Sequence, residues 1–195
     1  MSFEMFKIEG SYSDLAPLPE GAKISSSGLR LITADYIGFD GKLHNGQLVC
    51  AKDLAAELML IFRELLEAGY PLEKIEPSCV YGGDDDKIMA ANVTSCFNYR
   101  TVANTDTLSL HALGRAVDIN PLYNPYIQNG IVMPENAAPY ADRSADFPHK
   151  ITHDDTAFRV FAKYGWLWGG DWTDDKDYQH FYKPENRLRK LMRKL

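Results

Sequence analysis

The sequence of 195 residues has no long apolar run, and none of its runs approaches the roughly 18 residues that a membrane-spanning helix needs. Its first ten residues, MSFEMFKIEG, lack the basic segment followed by an apolar segment that marks a secretory signal. We therefore expect no transmembrane segment. The sequence also shows no signal for export.

Cysteine is scarce, with Cys50, Cys79 and Cys96 as the three in the chain. Their spacing fits no metal motif, and an odd number leaves at least one unpaired, so we expect no disulfide framework. Positive charge is scarce as well, since the formal net charge is −6. Residues 183–195 hold six basic residues and one acid, which leaves about −11 on the preceding 182 residues. This balance argues against nucleic acid as the main partner.

The composition is that of a globular protein, with 45% hydrophobic and 12% aromatic residues, and the length fits one domain. Hydrophobic residues at helical spacing predict a helix over residues 51–69, and a shorter helix is expected in THDDTAFRVFAKYG, capped by Thr152 and ended by Gly165. The strands we predict lie in LRLITADYIGF, KIEPSCVY and GRAVDINPLYNPY.

Turns and loops are predicted between these elements. Asp40-Gly41 and Asn45-Gly46 are turn signals, and the acidic run at residues 82–86 is typical of a solvated turn. Residues 127–150 are polar and contain three prolines, which predicts a long surface loop. A basic amphipathic helix is expected to open at Pro184.

The segment SLHALGRAVDINP places His111 and Asp118 seven positions apart around Gly114. Imidazole and carboxylate suit zinc, and a catalytic zinc keeps three protein ligands and an open fourth position. In a continuous strand, residues an odd number apart face opposite sides. The two side chains can therefore meet at one metal only if the chain bends between them, and Gly114 is placed to permit that bend.

A third ligand has to come from elsewhere, and the chain offers His149, His153 and His180. His180 lies in DYQHFY and follows Asp177 by three positions. That pairing combines a candidate ligand with a carboxylate that could act on water at the metal. A histidine among aromatic residues is also compatible with a packed, hydrogen-bonded side chain, so the local pattern alone leaves the third ligand open.

Together, SLHALGRAVDINP and GWLWGGDWTDDKDYQHF resemble the D-alanyl-D-alanine carboxypeptidase (VanY-like) family of zinc metallopeptidases. The family motif is S-x-H-x-x-G-x-A-x-D, followed much later by an acid-x-x-H. The resemblance covers roughly residues 36–182 and implies an α+β fold with a small antiparallel sheet and flanking helices, of the Hedgehog/DD-peptidase type. It also implies an N-terminal extension over 1–35, a zinc peptidase domain over 36–183 and a basic C-terminal helix over 184–195.

Carried over residue by residue, the resemblance implies one zinc ion per chain. Its ligands would be His111, Asp118 and His180. Asp177 would be the general base, where many relatives have glutamate and the endolysin-like branch has aspartate. NVTSCFNYR resembles the family segment that ends in a functional arginine, so Arg100 would stabilise the oxyanion.

Two further residues are candidate substrate contacts. The resemblance makes Ser109 a hydroxyl near the substrate backbone. Trp166, Trp168 and Trp172 are compatible with a packed core around the last strand, whereas the alternative is a cleft wall, for which we select Trp168.

The expected function is zinc-dependent hydrolysis of peptidoglycan stem peptides that contain D-amino acids. The cleaved bond would be that of a D,D-carboxypeptidase or of an L-alanyl-D-glutamate-type endopeptidase. A non-catalytic zinc-containing binding domain, as in the Hedgehog relatives, and a peptidase for a peptide outside the wall are the alternatives. A wall substrate implies action outside the cytoplasmic membrane, reached through a leader that the given sequence lacks or through phage-type release.

Overall fold

The structure is a computed structural model that describes residues 6–10, 17–102 and 105–184. Within these residues the chain forms small sheets and few helices, which confirms the predicted mixture of α and β structure. The strands are β1 Phe6–Gly10, β2 Leu29–Ile37, β3 Leu43–Ala51, β4 Lys74–Ile75, β5 Val93–Thr94, β6 Ala116–Asp118, β7 Tyr126–Gln128, β8 Ile131–Met133, β9 Leu167–Trp168, β10 Lys176–Asp177 and β11 His180–Tyr182. The α-helices are α1 Ala55–Glu67, α2 Asp85–Ala90 and α3 Thr156–Lys163.

The largest sheet has the order β1-β2-β3 and is antiparallel. The chain reverses between β2 and β3 at residues 38–42, where the Gly38 amide donates to the Lys42 carbonyl at 2.8 Å. The predicted turn at Asp40-Gly41 is therefore confirmed. The turn predicted at Asn45-Gly46 is wrong, because Gly46 lies inside β3 and its missing side chain leaves room for Ile75, whose Cβ would be 2.5 Å from an added Cβ.

Helix α1 confirms the prediction for residues 51–69 and supplies much of the core. It buries Leu58, Ile61, Phe62 and Leu65, and the chain leaves the helix through Gly69 at φ +66°. This face packs on β2, while β6, α3 and β11 extend the same core with aromatic and branched side chains. The core therefore lies directly behind the strands that carry Asp118 and His180.

The segment KIEPSCVY forms much less strand than predicted. Only Lys74–Ile75 pairs, in parallel with β5, and Pro77 then leads into a 3-10 helix over Ser78–Tyr81. The acidic run that follows is not a simple turn, because Asp84 caps α2 by accepting the Lys87 amide at 3.2 Å.

The loop predicted over residues 127–150 contains a hairpin and a 3-10 helix. Strands β7 and β8 pair through Asn129-Gly130, both at positive φ, and the 3-10 helix spans Glu135–Tyr140. Strand β10 pairs with the other edge of β7, which gives a sheet of order β10-β7-β8. A second small sheet has the order β6-β11-β9.

Helix α3 confirms the predicted helix, and Gly165 at φ +77° follows its end. Its cap is Asp155, whose Oδ1 accepts the Ala157 amide at 2.7 Å, and not Thr152 as predicted. The basic helix expected at 184–195 lies beyond the described residues apart from Pro184. Strand β2 runs through residues 35 and 36, where the sequence predicted the limit of an N-terminal extension.

All three cysteines are free thiols, with Cys50 and Cys96 buried. None of the helices among the described residues is long and apolar enough to span a membrane.

Candidate metal centre

His111 is held by hydrogen bonds that fix its ring orientation. It lies in a 3-10 helix over His111–Leu113, just before the segment in which a strand was predicted, and its backbone amide donates to Ser109 Oγ at 3.2 Å. The ring donates from Nδ1 to the carbonyl oxygen of Cys96 at 2.6 Å. Because Nδ1 then carries the proton, Nε2 keeps a free lone pair, which is the arrangement that a metal-ligating histidine needs.

Gly114 provides the predicted bend. It adopts φ +64°, its amide donates to the His111 carbonyl at 2.9 Å, and its own carbonyl accepts the Ala51 amide at 2.9 Å. An added Cβ would lie 2.5 Å from that amide nitrogen. The chain therefore turns sharply against β3 before β6 begins, and the turn allows His111 and Asp118 to face the same point.

Sheet pairing brings His180 to the other two residues, since β11 places it directly opposite Asp118. His111 Nε2 lies 3.1 Å from His180 Nδ1 and 3.2 Å from Asp118 Oδ2, and His180 Nδ1 lies 3.1 Å from Asp118 Oδ1. One ligand atom from each of the three buried residues lies within 4.8 Å of the others, so the group could hold a metal ion. Ligand atoms of a tetrahedral zinc at 2.0–2.1 Å would be about 3.3 Å apart, so the donor spacing fits.

The charges within this group are coupled. Burial opposes ionisation of Asp118, but His111 and His180 outweigh it and hold the pKa of this carboxyl far below its usual range. Burial likewise opposes protonation of His111, and the neighbouring Asp118 outweighs it, so the pKa of His111 is raised. The carboxylate therefore stays ionised and attracts positive charge, as a proton or as a metal cation.

Asp177 lies beside the three residues at the end of β10. Its Oδ2 is 3.9 Å from His180 Nδ1, its side chain is 14% exposed, and its buried Oδ1 has no hydrogen-bond partner among the described residues. Burial raises the pKa of Asp177 to about 7, and the neighbouring His180 opposes that rise. A carboxyl group in this environment can exchange a proton near neutral pH.

Glycine at position 169 allows Asp177 to sit there. A Cβ at Gly169 would lie 2.6 Å from the Asp177 carbonyl oxygen and 2.8 Å from its Cβ. The backbone that approaches Gly169 is the chain's own, and Gly170 is covered by the Trp168 ring.

Arg100 is anchored by an acid that the sequence did not single out. Its Nη2 lies 2.8 Å from Asp85 Oδ2, and Asp85 also accepts a hydrogen bond from Asn98 Nδ2 at 3.2 Å. Arg100 and Asp85 both influence the pKa of His111, so this ion pair lies within electrostatic range of the His111 ring. The only signal for Asp85 was the acidic run, which in general is more typical of solvent-exposed residues.

The two predicted substrate contacts are both 5% exposed. Ser109 Oγ is engaged by the His111 amide, and Trp168 donates from Nε1 to the Tyr178 carbonyl at 2.9 Å. Ser109 keeps its O–H donor and a second lone pair, so burial and not hydrogen bonding limits a substrate contact through these two side chains. Trp172 is more exposed, and its ring centroid is 5.6 Å from that of His180.

The other two candidate histidines are engaged elsewhere. His149 stacks on Phe39 at a centroid distance of 3.7 Å, and His153 Nε2 lies 2.8 Å from Asp171 Oδ1. Of the three candidate histidines, the structure therefore places only His180 next to His111 and Asp118.

Comparison with protein families gives one match, which bears out the resemblance seen in the sequence. A family model described as D-alanyl-D-alanine carboxypeptidase matches residues 103–183, which include His111, Asp118, Asp177 and His180. No curated protein and no solved structure matches the chain.

Proposed function

From the family match over residues 103–183, we propose that this protein is a zinc-dependent peptidase that hydrolyses peptidoglycan stem peptides containing D-amino acids, with the Hedgehog/DD-peptidase type of α+β fold. The observation that carries the proposal is the buried His–Asp–His group with the unpartnered carboxyl oxygen of Asp177 beside it. The bond cleaved is that of a D,D-carboxypeptidase or of an L-alanyl-D-glutamate-type endopeptidase. Such a substrate places the activity at the cell wall.

His111, Asp118 and His180 would hold one zinc ion. Two imidazoles and one carboxylate are a donor set of catalytic zinc sites, in which the fourth position stays open. When bound, zinc would supply a Lewis acid that polarises the scissile carbonyl and makes water at the site more acidic. The hydrogen bond from His111 to the Cys96 carbonyl supports this role, because it leaves Nε2 free.

Asp177 would be the general base. It takes a proton from the attacking water and transfers it to the amine that leaves. Its buried, unpartnered Oδ1 supports this role, since an oxygen without an internal partner is free to receive that proton.

Arg100 would face the negative charge that develops on the carbonyl oxygen. Its ion pair with Asp85 supports this role, because a guanidinium held in place before substrate arrives needs little reorganisation during the reaction. A purely structural metal site would need neither Asp177 nor Arg100. This distinction favours catalysis over a non-catalytic binding domain.

The proposal is tested by mass spectrometry of muropeptides incubated with the zinc-loaded protein. We expect products that have gained one water, and the masses identify the bond. Asp177→Asn should slow this hydrolysis at least about 100-fold while zinc content stays unchanged, as expected for loss of a general base. Asp174→Asn, at an exposed acid of the same loop, is the matched control and should keep the wild-type rate.

Two outcomes would contradict the proposal. Wild-type hydrolysis by Asp177→Asn would show that another group is the base. Intact muropeptides after incubation with the zinc-loaded wild type would instead support the binding-domain alternative.

A further inference from the structure

One face of the sheet β10-β7-β8 carries polar side chains next to Asp177. Tyr126 is directly opposite Asp177 in the antiparallel register, so the two side chains leave the sheet on the same face. Gln128 follows Tyr126 by two positions along β7 and therefore shares that face. None of these β7 residues was singled out by the sequence.

Asp175 links the two β7 side chains. Its Oδ2 accepts a hydrogen bond from Gln128 Nε2 at 2.9 Å and another from the Tyr126 hydroxyl at 3.3 Å. All three side chains are half-buried. The phenol is therefore oriented by an anchored carboxylate and is still partly exposed to solvent.

The direction of this hydrogen bond determines what Tyr126 can offer to a ligand. A phenol has one O–H donor and two acceptor lone pairs, and an ionised carboxylate can only accept. Because the proton of Tyr126 is directed at Asp175, the phenolic oxygen has lone pairs left to accept a hydrogen bond from a ligand. Asp175 is its one hydrogen-bond partner among the described residues.

We propose that Tyr126 is a substrate-positioning residue whose phenolic oxygen accepts a hydrogen bond from a backbone N–H of the bound peptide. This inference rests on the proposed peptidase function. The complementary chemistry is that of a peptide chain lying along β7 beside the reacting bond. The substrate group that binds Tyr126 is an N–H donor. A substrate acceptor would need the phenolic proton, and that proton is already donated to Asp175.

The electrostatic surroundings support a neutral phenol in this role. Burial, together with Asp175 and Asp177, raises the pKa of Tyr126 to about 12, while Arg100 lowers it. Because Asp177 and Arg100 both affect this pKa, the Tyr126 hydroxyl lies within electrostatic range of the proposed base and of the cation proposed to stabilise the oxyanion. A hydrogen bond accepted here would hold the peptide near those two groups.

The test compares steady-state kinetics of the zinc-loaded wild type and Tyr126→Phe on a muropeptide. Phenylalanine keeps the ring and removes only the oxygen, so we expect KM to rise about two- to tenfold, as for one lost hydrogen bond, while kcat is unchanged. Tyr140→Phe is the matched control. Tyr140 is also half-buried, but its ring packs against Tyr123 at 4.6 Å and its hydroxyl has no part in the proposal.

Substrate analogues identify the donor. In each analogue an ester oxygen replaces one N–H outside the cleaved bond. One analogue should raise KM for the wild type and have no further effect on Tyr126→Phe, because both changes remove the same hydrogen bond.

The outcomes separate this inference from the proposed function. If the wild type hydrolyses muropeptides but Tyr126→Phe matches it, or no analogue shows such coupling, Tyr126 does not position substrate and the peptidase proposal stands. If the wild type hydrolyses none, both fail together.

Discussion

Replacing Gly114 by alanine tests whether the bend between His111 and Asp118 depends on glycine. Two costs are expected. The residue adopts φ +64°, which costs an L-amino acid about 1–2 kcal/mol. In addition, the new Cβ would lie 2.5 Å from the Ala51 nitrogen and 2.9 Å from the Cys50 carbonyl carbon. Since backbone atoms of a buried strand cannot move aside cheaply, this overpacking adds about 1–3 kcal/mol.

Gly69→Ala is a matched control that separates the two costs. Gly69 has φ +66°, almost the same conformation, but among the described residues no atom beyond its two chain neighbours lies within 4 Å of an added Cβ. Gly69→Ala should therefore lower the free energy of unfolding only by the conformational cost, about 1–2 kcal/mol. Gly114→Ala should lower it by about 2–5 kcal/mol in total.

Urea unfolding followed by tryptophan fluorescence, with a chelator present, measures both free energies of unfolding without a contribution from bound metal. Zinc binding should also be weaker in Gly114→Ala alone, because a shift of the turn moves His111 away from Asp118. Equal destabilisation by the two substitutions would refute the claim that β3 packs tightly against this turn.

Three further predictions concern the site. His111→Ala should lower the zinc content of the purified protein from about one ion per chain to well below that, measured by elemental analysis, because it removes one of the three proposed ligands. Asp85→Asn should lower kcat/KM on muropeptides by about tenfold or more by loosening Arg100, whereas Asp86→Asn at the exposed neighbour should not. Gly169→Ala should lower kcat, since its Cβ would lie 2.8 Å from the Cβ of Asp177 and displace it; unchanged kcat would show that the proposed base tolerates the shift.

The part of the site close in sequence could be predicted from local rules. The seven-residue separation of His111 and Asp118 required a bend, and Gly114 was the residue able to make it. No prediction was made for the conformation of His111 itself, which lies in a 3-10 helix whose first amide is bound by Ser109. A local rule therefore identified the turn but not the conformation on its N-terminal side.

The third ligand could not be chosen from local pattern. His180 meets Asp118 through the register of β11 on β6, and no short-range signal encodes the pairing of two three-residue strands so far apart in sequence. The family resemblance supplied that choice. His149 and His153 offered the same chemistry, and only their packing against Phe39 and Asp171 distinguishes them.

The errors in the predicted secondary structure also have physical reasons. Strands β7 and β8 have three residues each, too short for alternation to stand out, although Asn129-Gly130 is a hairpin signal. Helix α2 has six residues and begins within the acidic run that predicted a turn. In that run Asp84 caps the helix and Asp85 binds Arg100.

The proposed function is a peptidase activity that depends on metal bound by His111, Asp118 and His180. The most direct measurement is the rate of muropeptide hydrolysis by metal-free protein as zinc is added in known amounts. We predict no hydrolysis without zinc, a rate that rises in proportion to added zinc, and a plateau at about one ion per chain. Full activity without metal, or no activity at one bound zinc per chain, would contradict it.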